Sequence, residues 1–427
     1  MSRRGLPVPG TFVLCLALAA AAPPCWANGF SAFTPGVKAM GMGGAFTAQA
    51  SDPSAGFYNP GGLALLEEGK MTVGAASVYL NESQYQGLSP GPGAGTSAEQ
   101  EQGMTVVGHA FTAHKLGDRF RWGVGIYTPF ALTTDWSNQD SFAGRRVTTD
   151  AELQTYDLNA NISWKVTPSF GLGAGVIYRT SDFTMGRRVA SFNPNAGELQ
   201  DVGSLAAETD FKAGIGWDAG FLHRIGKGFS WGASYRSPIE IDYTGSGTLT
   251  QIETGDEQFD ALIAAAFPFD TELPASTTIT FPDTATLGVA VGTERLLVAV
   301  DVTQTGWSNF EGLELTFPQN DSLDQVLQEA YDDSLSYRLG VQFSWSKRRS
   351  LRFGYAFEET PQPDSSLAPI LPDAERSIVS VGFGRDWLDV GFQFISPSSR
   401  STRTNLDGIN GTYSGNTYIL GISATKK

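Results

Sequence analysis

Apolar and polar residues alternate with period two along most of the chain beyond residue 70. Tyr337, Leu339, Val341, Phe343 and Trp345 alternate with Arg338, Gly340, Gln342 and Ser344. Leu351, Phe353, Tyr355 and Phe357 alternate with Arg352, Gly354, Ala356 and Glu358. Leu388, Val390, Phe392 and Phe394 alternate with Asp389, Gly391 and Gln393, and Val176 and Tyr178 with Ile177 and Arg179. Successive side chains on a strand point to opposite faces, so this period predicts strands. Fourteen are predicted, at roughly 70–81, 102–115, 119–131, 150–165, 169–183, 209–224, 228–243, 278–292, 295–306, 336–347, 350–360, 376–385, 386–396 and 414–426. Their connections alternate in length. Short ones fall near 116–118, 166–168, 225–227, 293–294, 348–349 and Arg385–Asp386. Long ones fall near 82–101, 132–149, 184–208, 244–277, 307–335, 361–375 and 397–413. An up-and-down outer-membrane barrel has this form, with an even strand number, short periplasmic turns and long outer loops. The predicted fold is therefore all-β: a 14-stranded antiparallel transmembrane β-barrel.

Aromatic placement agrees. Trp122, Trp164, Trp231, Trp345 and Trp387 lie beside short turns, where an interfacial girdle belongs. Tyr79, Tyr178, Tyr243 and Trp307 fall at the opposite strand ends. Glycines share one parity on several strands, as at Gly171, Gly173 and Gly175, at Gly214, Gly216 and Gly220, and at Gly382 and Gly384. With their apolar neighbours facing lipid, these glycines face the lumen, where they serve barrel curvature or the close approach of a plug.

Residues 28–69 lack the strand period. Their centre, Gly56-Phe57-Tyr58-Asn59-Pro60-Gly61-Gly62-Leu63, is too rich in Gly, Pro and Asn for an interior strand or helix. Such a segment cannot bury a core alone but can fill a cavity, and it is read as a plug ahead of a barrel at 70–427. Residues 1–27 read as a secretory signal: Arg3 and Arg4, an apolar run from Thr11 to Ala22, and Ala27 at the cleavage site. Cys15 and Cys25 leave with it, so the mature chain carries no thiol chemistry.

Composition narrows the function. There are 50 glycines, charged residues make up 17%, and the formal net charge is −15. Losing Arg3 and Arg4 changes it to 27 − 44 = −17. No long basic run exists, so nucleic acid is not an expected partner. The three histidines, His109, His114 and His223, have no metal-ligand spacing, and no Gly-x-Ser-x-Gly elbow occurs. No enzyme activity, metal or cofactor is expected.

The mature sequence resembles the FadL family of outer-membrane transporters for long-chain fatty acids and other hydrophobic compounds. The residues that carry the resemblance run in order. They are Gly29-Phe30, then Ala55 through Leu63 with Asn59-Pro60-Gly61 in the place of an Asn-Pro-Ala motif, then Gly123 through Leu132. Phe281-Pro282-Asp283, Asp301 through Ser308, Glu359 through Asp364, and Leu371-Pro372-Asp373 follow. One departure is the C-terminus, which ends Thr425-Lys426-Lys427 where outer-membrane barrels often end in an aromatic residue.

The resemblance implies capture of a hydrophobic ligand at the outer loops, binding inside the barrel, and sideways exit at a kink in the third strand, gated by an N-terminal hatch. Phe30 is then the aromatic near the mature end that reaches the pocket, and Asn59, Pro60 and Gly61 form the hatch turn. Thr128, Pro129 and Phe130 mark the kink, since proline cannot donate a ladder bond; on sequence grounds alone the strand could also simply end there. Parity places Arg179, Arg338, Arg352 and Arg376 in the lumen, either to meet a carboxylate or to pair with acids such as Glu358 and Asp389. Phe259, Leu262, Ile263 and Phe267 recur at helical spacing within 256–267, as an outer capture groove or a cap. A second loop helix is expected at Asp321–Ala330. Expected partners are a hydrophobic small molecule, a fatty acid or hydrocarbon, and outer-membrane lipid around a monomer. Uptake of aromatic hydrocarbons by the same route, or diffusion through an open porin, are the alternatives.

Overall fold

A computed structural model describes residues 29–31, 34–67, 69–101, 104–310, 312–328 and 330–426. The leader expected at 1–27, and Asn28, Ala32 and Phe33 of the N-terminal stretch, lie outside these residues.

Fourteen antiparallel spans close into one barrel. They are β1 (Lys70–Gly87), β2 (Met104–Leu116), β3 (Phe120–Tyr127, then Ala131–Asp135), β4 (Asp150–Thr167) and β5 (Phe170–Asn193). Next come β6 (Glu198–Thr209, then Lys212–Ile225), β7 (Phe229–Arg236, then Ile239–Gln251) and β8 (Glu272–Phe281, then Thr284–Gly292). The series ends with β9 (Leu296–Thr305), β10 (Ser334–Ser346), β11 (Arg349–Glu358), β12 (Arg376–Arg385), β13 (Leu388–Pro397) and β14 (Gly411–Lys426). Each span pairs with its sequence neighbours, and β14 returns to β1 from Met71↔Lys426 to Gly87↔Gly411. The period-two pattern decides which face is wet. Ile162, Val176, Ile215, Val300, Phe353 and Leu420 are exposed on the outside. Their polar neighbours, such as Ser163, Asn161, Asp301 and Ser380, are buried inside.

Several expectations need correction. The segment 184–208 is not a loop: β5 and β6 continue as a hairpin to Asn193↔Glu198. Its inward face buries Met185, Val189, Leu205 and Ala207, while its outward face carries Thr184, Arg188, Ser204 and Glu208, because the hairpin stands clear of the apolar belt. The segment Asp321–Ala330 is not a helix. A 3-10 turn at Asp321–Leu323 leads into a strand, Gln325–Gln328, that pairs with Gly312–Leu315 and buries Leu323 and Leu327. Cross-strand pairing overrides helical propensity here. Tyr243 and Trp307 do not belong to an outer girdle. Both are about fully buried, Tyr243 on the inward parity of β7 and Trp307 in a 3-10 turn folded over the lumen. The helix expected within 256–267 is present as Glu257–Ala266, capped by Asp256, whose carboxylate accepts from the Gln258 and Phe259 N–H groups.

Inside the barrel, residues 34–67 form three one-turn helices: α1 (Val37–Met40), α2 (Ala55–Tyr58) and α3 (Pro60–Leu63). One-turn helices leave most carbonyls without partners, and the barrel wall supplies donors. Ser163 Oγ donates to Pro60 O at 2.7 Å, Ser230 Oγ to Ala48 O at 2.8 Å and Ser234 Oγ to Tyr58 O at 2.7 Å. Arg121 donates to Leu66 O, and Gln393 to Met40 O. The luminal glycines let this segment touch bare backbone. A Cβ on Gly173 would lie 2.4 Å from Pro60 C, one on Gly171 2.4 Å from Gly61 O, and one on Gly382 2.9 Å from Gly41 Cα. Gly214 and Gly216 serve the wall instead, where Ile239 and Ile241 of β7 pack over them.

Candidate functional site

Among the described residues, the wall's ladder lapses beside the central cavity between β2 and β3, and a second lapse separates Arg236↔Asp218 from Gly245↔Thr209 between β6 and β7. β2 and β3 pair only up to Ala110↔Ile126. Beyond it, Thr128-Pro129-Phe130 interrupt β3, and its second half, Ala131–Asp135, pairs with β4 alone. The facing stretch of β2, from Met104, pairs with β1 alone. The gap closes again above, where the Glu101 N–H donates to Asp135 O at 2.8 Å and Ser137 N–H to Glu99 O at 2.9 Å. Pro129 lacks the donor that a ladder needs, which is why the sheet parts here.

The N-terminal stretch lies against this kink. Ser31 forms an antiparallel bridge with Phe130, and the Ala131 N–H donates to Phe30 O at 3.2 Å. Two further ties hold it: the Gly29 N–H donates to Asp373 Oδ2 at 3.3 Å, and Arg376 donates to Ser31 O at 3.4 Å. Phe30 is 5% exposed and sits in an aromatic cage. Its ring centroid is 5.7 Å from Phe130, 5.9 Å from Phe281, 4.8 Å from Trp307 and 5.4 Å from Phe310. Such pairs add about 0.5–1.5 kcal/mol each beyond burial. Arg179 underlies the cage, with its guanidinium 4.7 Å from the Phe130 ring and 4.8 Å from Phe281.

A cavity of about 430 Å³ lies between the N-terminal stretch, α2 and the wall. Phe30, Pro129, Phe130 and Leu132 line it, and Thr105 and Val107 of β2 bring it to the gap. Ile378, Ile395 and Ile419 give it an apolar side. Arg236, Arg338 and Arg376 add charge, balanced by nearby acids.

All four arginines expected in the lumen are there, and each meets an acid. Arg179 makes a bidentate pair with Asp157 at 2.7 and 2.9 Å, fully buried. Arg352 pairs with Asp389 beneath α1. Arg338 and Arg376 share Glu358, at 2.8 and 2.9 Å, leaving that triad one positive charge in excess. Only these last two line the cavity; Arg179 and Arg352 do not. A fifth luminal arginine, Arg236, bonds Tyr127 Oη at 2.7 Å and Phe57 O at 3.0 Å.

Asn59, Pro60 and Gly61 come together against β5 and β6. Asn59 is fully buried and caps α3: its Oδ1 accepts from Gly61 N–H at 3.1 Å. Its Nδ2 donates to Thr47 O at 3.0 Å and Phe221 O at 2.8 Å, tying hatch to hatch and hatch to wall. Gly61 has no room for a side chain, since a Cβ would meet Phe221 Cα at 2.6 Å. Asp301 of β9 holds the other hatch turn, accepting from Phe46 and Thr47 N–H at 2.9 and 2.8 Å.

The outer residues sit apart from the cavity. Phe259 and Ile263, each 5% exposed, face a loop core with Val202, Leu249, Phe317 and Leu323. Leu262 is 67% exposed, and Phe267 is half-buried beside Phe269.

Comparison with known proteins decides the family. The model for "Outer membrane protein transport protein (OMPP1/FadL/TodX)" matches residues 17–427. The chain belongs to the FadL family. The long-chain fatty acid transport protein of Escherichia coli K12 is 25% identical over 421 residues, covering 90% of this chain and 92% of that one. A putative outer membrane protein of Neisseria meningitidis serogroup B is 23% identical over 87% of this chain and 85% of its own. Among solved structures, a Pseudomonas aeruginosa FadL homologue superposes with a TM-score of 0.78 at 22% identity, covering 93% of this chain and 99% of that one. The Ralstonia pickettii toluene transporter TbuX gives 0.64 at 16% identity, covering 91% and 97%. These likenesses show the same barrel. Membership makes this FadL-family barrel an outer-membrane transport protein for hydrophobic compounds.

Sequence reasoning left Phe281, Asp301 and Asp373 without roles and put Trp307 at a strand end rather than in the cage. All four lie in the stretches that carried the family resemblance, so order along the chain held a signal whose meaning needed the fold.

Proposed function

We propose that this barrel takes up long-chain fatty acids or similar hydrophobic molecules and releases them sideways between β2 and β3. The observation that carries the reading is the N-terminal stretch bridged to the kink, with one cavity behind both. A ligand settling in the cavity competes with Phe30 for the aromatic cage. Once Gly29–Ser31 leave the kink, the cavity opens to the lipid-facing side of the wall, and an apolar molecule need not cross water. The hatch stays seated by Asn59 and Asp301, which keeps the lumen closed to ions. Capture would begin at the exposed side of Glu257–Ala266, where Leu262 stands free.

The carboxylate reading rests on Arg338 and Arg376, whose guanidiniums border the cavity alongside Asp301, Glu358 and Asp373. Uptake of neutral aromatic hydrocarbons is the second reading, favoured by the ring cage around Phe30. An open porin is disfavoured by the filled lumen. A hydrolase is disfavoured by the scatter of the histidines: His114 and His223 lie beside Trp122 and Trp231 near the short turns, while His109 lies inside. The protein is read as acting as a monomer.

Lipid extraction and mass spectrometry of the purified protein test the reading. A co-purifying fatty acid, lost in the Arg338→Gln, Arg376→Gln double variant, supports the carboxylate arm. Retention of a neutral ligand in that variant supports the hydrocarbon arm. Absence of any hydrophobic ligand, with no uptake of either class by cells, overturns both.

A further inference from the structure

The mature chain is strongly acidic, yet its short-turn end is basic. Each of the six short turns has an exposed or half-exposed cation in it or on the adjoining strand end, Arg119, Lys165, Lys227, Arg295, Arg348 and Arg385, and three also carry an acid, Asp118, Glu294 and Asp386. Among the described residues, only Arg348 of these six has an acid partner, Asp386 at 3.5 Å. The cations follow the wall from β2 to β13, because the six turns join twelve of the fourteen spans. Just inside them lie the lipid-facing indoles. Trp164 adjoins Lys165, Trp345 and Trp387 flank the turns of Arg348 and Arg385, and Trp122 follows Arg119. These four are 40–61% exposed. At the loop end the sign reverses: Glu152, Asp182, Glu208, Glu240 and Asp242 stand outside β4 to β7, beyond the apolar belt.

We propose that the short-turn rim is a basic collar that selects anionic phospholipid headgroups in the inner leaflet of the outer membrane. Indoles settle at the level of the glycerol backbone, and cations one residue layer further out reach the phosphates. A protein partner would dock on one side and needs a local patch. A charge that recurs at every turn fits a lipid shell, which surrounds the barrel. Each Lys or Arg near an anionic surface favours it about fivefold, and salt screens the effect within about 10 Å at 0.1 M.

The five indoles near the collar report directly on their lipid neighbours. The protein is reconstituted in vesicles containing brominated phosphatidylglycerol or brominated phosphatidylcholine against unbrominated phosphatidylcholine, and tryptophan quenching gives the relative binding constant. Phosphatidylglycerol is expected to be preferred about fivefold. The preference should fall to about one in 1 M salt. It should fall likewise in a variant carrying Arg119→Gln, Lys165→Gln, Lys227→Gln, Arg295→Gln, Arg348→Gln and Arg385→Gln. Lys212→Gln with Arg403→Gln, on the loop side, should leave it unchanged. Heat-modifiable migration on gels shows that each variant is a folded barrel. A wild-type preference near one overturns the proposal, as does a preference that survives in the folded six-site variant.

Discussion

Asn59→Ala removes one side chain that is fully buried and makes three hydrogen bonds, to Gly61 N–H, Thr47 O and Phe221 O. Losing the cap of α3 costs about 0.5–2 kcal/mol. Each of the other two bonds contributes about 0.5–1.5 kcal/mol, and more where its buried partner is left unmet. The sum is about 2–5 kcal/mol, and it falls on the hatch. The barrel ladder around Phe221 keeps its pairing with β5 and β7. A loss of about 3 kcal/mol raises the population of an unseated hatch by a factor of about 150. Planar-bilayer recording reads this as a rise in ion conductance, while heat-modifiable migration on gels stays that of a folded barrel. Conductance equal to wild type in the folded variant would refute the assignment of Asn59 as the pin that seats the hatch.

Two further outcomes follow from the N-terminal stretch. Phe30→Ala empties the centre of the cage at a cost of about 3–5 kcal/mol to the closed arrangement, and because ligand competes with Phe30 for that cage, co-purifying ligand should rise at least about tenfold; unchanged retention would remove Phe30 from the pocket. Burial in the loop between β11 and β12 pushes Asp373 from 3.8 up to about 6. A raised carboxyl opposes the closed site when ionised, so the closed site gains stability as pH falls through about 6 towards 3.8, by about 1.4 kcal/mol per unit. Hydrogen exchange at residues 29–31, corrected for intrinsic rates, should show stronger protection at pH 5 than at pH 7.5. Asp373→Asn should flatten that difference, and protection that rises with pH would contradict the burial of Asp373 against Gly29.

Much of the barrel was legible because lipid and lumen impose opposite chemistry on alternate residues, and each strand repeats the signal over about ten positions. The alternation of short and long connections survived even where strand ends were misjudged. The long β5–β6 hairpin was missed because above the membrane its outward face is no longer apolar, although Val189, Val202 and Leu205 stay buried. The site was less legible. Phe30, Phe130, Phe281, Trp307 and Phe310 come from separate stretches, and no local pattern says that they meet. The same holds for the arginines: parity put them in the lumen, but which acid each one meets depends on neighbouring strands. Pro129 is the exception, since a proline within a strand carries its own physical consequence.

The bridge between Ser31 and Phe130 offers the most direct test of exit at the kink. Antiparallel partners have Cα atoms about 4.5–5.5 Å apart, within reach of a disulfide, and the chain has no cysteine beyond Cys25 to compete. In the Ser31→Cys, Phe130→Cys variant, oxidation should lock the N-terminal stretch onto β3. Uptake of the hydrophobic ligand should then fall to the background of cells lacking the protein and return on reduction with dithiothreitol. Uptake that continues unchanged with the disulfide fully formed would contradict a lateral exit gated by this segment.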